Sequence, residues 1–344
     1  MEIHYLNVDE GDCSIVKHDS GHVTMVDICC GNLKHEQSVL EEGSDFSDII
    51  KAAEGLKGNY NQKEHPVNPL EWLSKITKDR IFRFIATHPD MDHLDGLKAL
   101  FDSEFKPENF WDTENDKEMD AKNGFGEYDE DDWEFYKKLH IGSVLGVKRL
   151  FLKENAKGKF YNQDDDSGQG CGDRISIISP TEKIEGVVEK TENYNDLSYV
   201  LLLTTRYGRK ILFCGDTEEA AWDVILPRHE KELSDIDILI SPHHGRKTGG
   251  NDNFLDTLKP KFSLLGNAKS TCLNYSAWNN RKLLHFTNNQ LGSVIFQEAD
   301  KGAFNVYATC QHAVLNWHKQ YRPTMSESDL IMHKELPAYF LMVI

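Results

Sequence analysis

The stretch IATHPDMDHLDGL, residues 85–97, constrains this chain most. His88, Asp90, Asp92, His93 and Asp95 crowd directly behind an apolar run, RIFRFIA at 80–86. That run reads as a short strand, and leucines at 94, 97 and 100 follow at helical spacing. The ionisable cluster therefore sits at a strand-to-helix junction, where α/β folds place functional groups.

The same grammar recurs along the chain. Gly215 and Asp216 follow the apolar strand KILFC, and His243, His244 and Gly245 follow DILISP. Asp27 closes a further strand, VTMVDI. Residues 3–8 and 13–17 alternate apolar and polar side chains around Glu10, Gly11 and Asp12, which predicts a β-hairpin, and 22–28 is a third strand. More strands are expected at 174–178, 198–205, 236–240, 261–265, 294–297 and 304–309, with helices near 70–76, 94–101 and 217–225. Residues 102–170 change character. ENDKEMD and YDEDDWE are acidic, with Trp111, Trp133 and Phe135 interleaved, and predict a solvated helical insertion. The last 30 residues lack a clear period beyond a terminal strand at 339–344.

A lone histidine after a strand is most often a hydrogen-bonded structural residue. Three such clusters are harder to absorb that way. Burying His88, Asp90, Asp92, His93, Asp216 and His243 without counter-charge costs on the order of several kcal/mol per ion. A divalent metal supplies the charge, with neutral imidazole and carboxylate as its usual donors. The count favours two ions: three carboxylates contribute −3, two divalent cations +4, and a bridging hydroxide brings the sum near zero.

Composition narrows the partners. The 344 residues carry 57 acidic and 39 basic side chains, a net charge of −18, with no basic arm or patch. Such a surface repels phosphate backbones at long range, so a nucleic-acid substrate must be drawn in by a local site or bound metal. The seven cysteines form no CxxC pair, which argues against a zinc knuckle. Adjacent Cys29 and Cys30 read as packing. Reduced thiols, an acidic N-terminus and no apolar run near 20 residues predict a cytoplasmic protein with no membrane partner.

The segments IHYLNVDEGDCSIV, MVDICCG, ATHPDMDHLDGL, NDLSYVLLL, ILFCGDTE and DILISPHHGRKTG, in this order, resemble the metallo-β-lactamase-fold hydrolases, specifically the ComEC/Rec2-like branch, as a stand-alone relative. The resemblance runs from residue 2 to about 309. It implies an α/β fold, a four-layer αββα sandwich. The hydrolase domain would span 1–310, with insertions near 44–78 and 102–170, and 311–344 would be an extension of unknown role. It implies a metal centre in which His88 and Asp90 hold the first ion, Asp92 and His93 the second, and Asp216 bridges both. His243 would complete the second site, with His244 as the alternative, and Asp27 would orient ligands. Most of the superfamily has His where this chain has Asp90, and an oxygen donor there hardens the site. Zinc or manganese is expected, with magnesium admitted. Asn195 or Ser198 occupies the region of the superfamily's isolated third-motif His. NAKSTCLNYSAW lacks the branch's late Gly-His-Pro, leaving Lys269 or Tyr275 as candidates to protonate a leaving group.

The resulting expectation is a binuclear phosphodiesterase, most plausibly a nuclease, with a metal-bridging hydroxide as nucleophile. Asp92 and Asp216 hold the reacting centre, and Arg246 or Lys247 clamps phosphate. Stand-alone relatives of this kind resemble components of bacterial defence modules. The alternatives are a phosphodiesterase for a cyclic nucleotide or phosphocholine ester, with 102–170 as a lid bearing Trp111 or Trp133; a lactonase or β-lactamase type; and a non-catalytic binding subunit. The acidic insertion is also a candidate docking surface for a protein partner.

Overall fold

Alternation of apolar residues decides the layering. In the computed structural model, which describes residues 1–33, 56, 58–119, 126, 128–163, 172–248, 250 and 252–344, the chain runs β1 (Glu2–Tyr5), β2 (Ser14–Lys17), β3 (Val23–Val26), α1 (Pro69–Ile76), β4 (Arg83–Ile85), α2 (Leu97–Asp102), β5 (Asn109–Asp112), α3 (Glu130–His140) and β6 (Lys148–Phe151). It continues through β7 (Ile175–Ser179), α4 (Glu182–Thr191), β8 (Val200–Thr204), β9 (Lys210–Phe213), α5 (Glu219–Leu233), β10 (Ile238–Ile240), α6 (Phe254–Leu258), β11 (Phe262–Leu265), α7 (Tyr275–Arg281) and β12 (His285–Thr287). The remainder is α8 (Asn288–Leu291), β13 (Val294–Glu298), β14 (Phe304–Ala308), α9 (Gln311–Lys319) and β15 (Tyr339–Val343).

These strands make two sheets, ordered β15-β14-β13-β1-β2-β3-β4-β5-β6 and β12-β11-β10-β9-β8-β7. Because side chains alternate across a strand, Val16, Leu201 and Ile211 face the interior between the sheets, while their neighbours Ile15, Leu202 and Leu212 face outward. The outward face of the first sheet is covered by Trp72, Leu100 and Trp133 from α1, α2 and α3. The outward face of the second is covered by Trp222, Leu255 and Trp278 from α5, α6 and α7. The result is the αββα layering expected of a metallo-β-lactamase-like sandwich. β3 to β6 run parallel, as do β9 to β12, so the C-terminal ends of β3 and β4 in one sheet and β9 and β10 in the other can supply loops to one place.

The segment 102–170 is helical at α3, but it also adds β5 and β6 to the first sheet, parallel to β4. Its tryptophans are structural. Trp111 lies in β5 and Trp133 packs on Tyr136, each 2% exposed, so neither is free to stack on a ligand. The 44–78 insertion falls partly outside the described residues; within them it contains α1, capped by Asn68 and opened by Pro69. Residues 311–344 contribute α9 and β15, and β15 closes one edge of the first sheet against β14. No helix among the described residues is long and apolar enough to cross a membrane.

Candidate metal centre

Four loops at strand ends deliver the charged residues. Asp27 follows β3 with φ at 57° and accepts three hydrogen bonds: from Thr87 N at 2.7 Å, Thr87 Oγ1 at 2.7 Å and His93 Nδ1 at 2.9 Å. That last bond fixes the His93 tautomer and turns Nε2 toward Asp216 Oδ1, 3.2 Å away. Asp216 follows β9 after Gly215, whose φ is +50° and where a Cβ would lie 2.8 Å from the Thr87 side chain, so only glycine fits. Ser198 Oγ accepts the Asp216 N–H at 3.0 Å and pins the loop.

After β10 the backbone kinks through three left-handed residues: His243 at φ 47°, His244 at 54° and Gly245 at 80°. Two consecutive non-glycine residues in that region cost roughly 1–2 kcal/mol each. The kink buries His244, whose Nε2 lies 3.4 Å from both Asp92 Oδ2 and Asp216 Oδ2. His244 Nδ1 rests 3.2 Å from Asp12 Oδ1, which also accepts Tyr5 OH at 2.7 Å. Asp92, His93, Asp216 and His244 each bring one donor atom to within 4.8 Å of the others.

The two consecutive histidines stand differently at the centre. The kink puts His244 into that group. His243 presents Nε2 to Asp216 Oδ2 at 3.6 Å, with Nδ1 held by Glu218 at 2.9 Å. His88 Nε2 also faces this side, 4.0 Å from Asp216 Oδ2 and 3.6 Å from Asp90 Oδ1. Asp90 is ion-paired to Lys117 Nζ. Asn195 reaches Glu218 at 3.3 Å, and so stands behind His243.

The inner four atoms are close yet badly aligned for one another. His93 Nε2, His244 Nε2 and Asp216 Oδ1 are buried and lack a hydrogen-bond partner, and so is His88 Nε2. His93 Nε2 lies 3.2 Å from Asp216 Oδ1 and 3.9 Å from Asp92 Oδ2, and His244 Nε2 lies 3.4 Å from Asp216 Oδ2 and from Asp92 Oδ2, separations compatible with donors gathered around one divalent ion at bonds of about 2.1 Å. Two imidazole nitrogens and two carboxylates are a fitting donor set for a divalent ion.

The electrostatics agree. Burial would lower the pKa of His93 and of His244, yet Asp216 with Asp27 and Asp92 around the first, and Asp216 with Asp12 around the second, hold both well above the usual imidazole range. Burial would raise Asp216, but His244 and His93 hold it well below the carboxylate range. Asp92, likewise opposed by burial, is brought down to about 2 by His93 and His244. His88 is pushed down by burial and by His93. A divalent ion held by these residues would take the place of the protons these imidazoles otherwise carry.

The two basic residues after the histidine pair have their own partners. Arg246 Nη2 is paired with Glu10 at 3.1 Å while its buried Nε has no partner, and Lys247 is exposed with its backbone tied to Cys272 O. Tyr275 lies in α7 with its ring 6.2 Å from that of His285, and burial pushes it up to about 12. The backbone N–H groups at the α2 N-terminus are not taken by the nearby Asp95. Asp132 of α3 takes Gly96 N and Lys98 N at 2.7 Å each, leaving Asp95 to accept Cys30 N. The Cys29 and Cys30 sulfurs sit 3.8 Å apart next to Asp95, and the Cys29 thiol is pushed well up by its hydrogen bond with Cys30 and by burial.

Sequence reasoning assigned no role to Asp12, Glu218 or Lys117. Asp12 lies inside IHYLNVDEGDCSIV and Glu218 two residues after Asp216, so the sequence carries a signal for both. Lys117 sits in an acidic run that gives none.

No protein-family model matches the chain, and no curated protein does. Among solved structures it is similar to one described as a new diphosphatase from the PhnP family, with a TM-score of 0.36 and 10% identity, over 77% of this chain and 85% of that one.

Proposed function

We propose that this chain is a metal-dependent phosphodiesterase with nucleic acid as substrate. The observation that carries the reading is the convergence of Asp92, His93, Asp216 and His244 on one point, with unpartnered buried atoms aimed at it and outer nitrogens anchored by Asp27 and Asp12. These four residues would hold one divalent ion. His88, Asp90, His243 and the shared Asp216 would face a second. A divalent ion so held supplies a Lewis acid for a phosphoryl oxygen and lowers the pKa of water toward neutrality.

The chain's own residues do the rest. Asp27 and Asp12 fix imidazole orientation, Ser198 holds the Asp216 loop, and Glu218 keeps His243 Nε2 turned inward. Lys117 and Arg246 bring positive charge to a protein of net charge −18. That same net charge favours a second reading, a small phosphodiester, because a long polyanion is repelled.

The test incubates the chain with Mn²⁺, Mg²⁺ or Zn²⁺ and single-stranded DNA, duplex DNA, RNA, bis-p-nitrophenyl phosphate, cyclic nucleotides and nitrocefin. Cleavage of a polymer supports the nuclease, and turnover confined to small diesters supports the second reading. Nitrocefin turnover points to a carbon-centred hydrolase. Silence throughout, with stoichiometric metal bound, makes the chain a binding subunit. Full activity in Asp92→Ala would remove Asp92 from the centre.

A further inference from the structure

The segment that leaves β5 turns back over the metal centre and is fastened at both ends. At its root, Asp112 accepts hydrogen bonds from Tyr136 OH at 3.2 Å and His140 Nδ1 at 2.7 Å, both from α3. Asn115 donates to Tyr136 OH at 2.8 Å and to Thr113 O at 3.0 Å, and its Oδ1 accepts Lys117 N at 3.2 Å. Further along, Asp116 accepts Tyr194 OH at 2.8 Å, and the Tyr194 ring lies 5.6 Å from Lys117 Nζ. Lys117, 19% exposed, is thereby directed onto Asp90, with which it is ion-paired. Asp90 Oδ1 is the same atom that stands 3.6 Å from His88 Nε2.

We propose that Lys117 is a tethered cation occupying the His88–Asp90 half of the centre, so that the chain binds one divalent ion tightly and admits a second only by displacing the lysine. This rests on the reading of Asp92, His93, Asp216 and His244 as metal donors. The physical argument is competition for one oxygen. Asp90 must release an ammonium to ligate a metal, and an ammonium left nearby repels the incoming dication. The inner half has no such competitor: among the described residues no lysine or arginine pairs with Asp92 or Asp216. Lys117 also gives the acidic insertion a role at the centre that its composition conceals.

The experiment dialyses the full-length chain against increasing free Mn²⁺ and counts bound ions by elemental analysis, with electron paramagnetic resonance to detect a spin-coupled pair. Wild type is expected to take one ion, with the second at least tenfold weaker. Lys117→Met should tighten the second ion at least tenfold and show the coupled spectrum at lower Mn²⁺. Lys117→Arg, which keeps the charge, should preserve the wild-type gap. Adding Asp90→Asn to Lys117→Met should abolish the second ion and leave the first. Circular dichroism and thermal unfolding establish that each variant is folded, and Lys117→Gln replaces Lys117→Met if that one is not. Two ions of equal affinity in wild type, or a second-ion affinity within twofold of wild type in the folded variant, overturns the proposal while leaving the metal centre standing. A wild-type chain that takes up no ion overturns both.

Discussion

Two clusters of buried charge lie in this molecule, and they are built on opposite plans. Around Asp173, every charge meets its complement. Its carboxylate accepts from Arg83 Nη2 at 2.5 Å, His22 Nδ1 at 2.9 Å and Ser20 Oγ at 2.5 Å. Arg83 spends its other donors on Thr24 Oγ1 and Phe160 O, and neither residue has an unpartnered buried atom. Around Asp216, four imidazoles approach one carboxylate at 3.2 to 4.0 Å and several atoms stay unpaired. A closed cluster of this kind ties a fold together; an open one is completed by something the chain does not contain.

The largest expected effect separates the two clusters by metal response. Saturating metal, about 100-fold above its Kd, should stabilise wild type by about 2.7 kcal/mol. Asp216→Asn should lose that gain and reduce turnover of the responsive phosphodiester on the order of a thousandfold. Thermal unfolding with and without chelator, alongside initial rates, reads both. If wild type gains nothing from Zn²⁺, Mn²⁺ or Mg²⁺, the contrast collapses and the Asp216 cluster is a second structural tie.

Breaking the closed cluster should act on stability alone. Asp173→Asn leaves the Arg83 charge buried without its partner, at a cost of about 3–5 kcal/mol. Activity per folded molecule should be unchanged, since neither residue touches the centre. The pH dependence carries a sign. Burial raises the Asp173 pKa, but the charges of His18 and Arg83 with hydrogen bonds from Ser20 and His22 outweigh it and hold the pKa below its ordinary value. A lowered folded-state pKa means stability that is present above the unfolded value of about 3.9 and lost as pH falls through the folded one. Urea midpoints from pH 6 downward should therefore show a steeper acid limb in wild type than in Asp173→Asn. Equal limbs would mean that Asp173 contributes no such linkage.

The contrast also explains what could be read from sequence. HPDMDH, GD and HHG stood out because each follows an apolar strand, and strand ends are where this fold gathers its loops. The choice between His243 and His244 was not legible, because it depends on three successive positive φ values that no residue type in HHG announces except the glycine. Lys117 was hidden for a different reason: it lies among Glu114, Asp116 and Glu118, and only the return of the β5 loop brings it to Asp90. β6 is not announced by its sequence because KRLF is a partly exposed edge strand with half its residues charged, nor β12 because HFT is only three residues long. Asp173 and Arg83 gave no hint of each other, being 90 positions apart.

The smallest predicted effect probes the boundary between the two plans, because Asp12 belongs to both. Toward Tyr5 it is a satisfied buried acceptor, and toward His244 it fixes which nitrogen faces the centre. Asp12→Asn keeps size and the Tyr5 hydrogen bond but removes the charge that aligns the imidazole. Loss of such an orienting carboxylate weakens metal binding by roughly 10–100-fold. Tyr5→Phe should weaken it less, since the carboxylate remains on His244. Equilibrium dialysis of the two variants orders them directly. If Tyr5→Phe proves the more damaging, Asp12 acts mainly as a packing partner of Tyr5, and the orientation of His244 must come from the backbone kink at 243–245 alone.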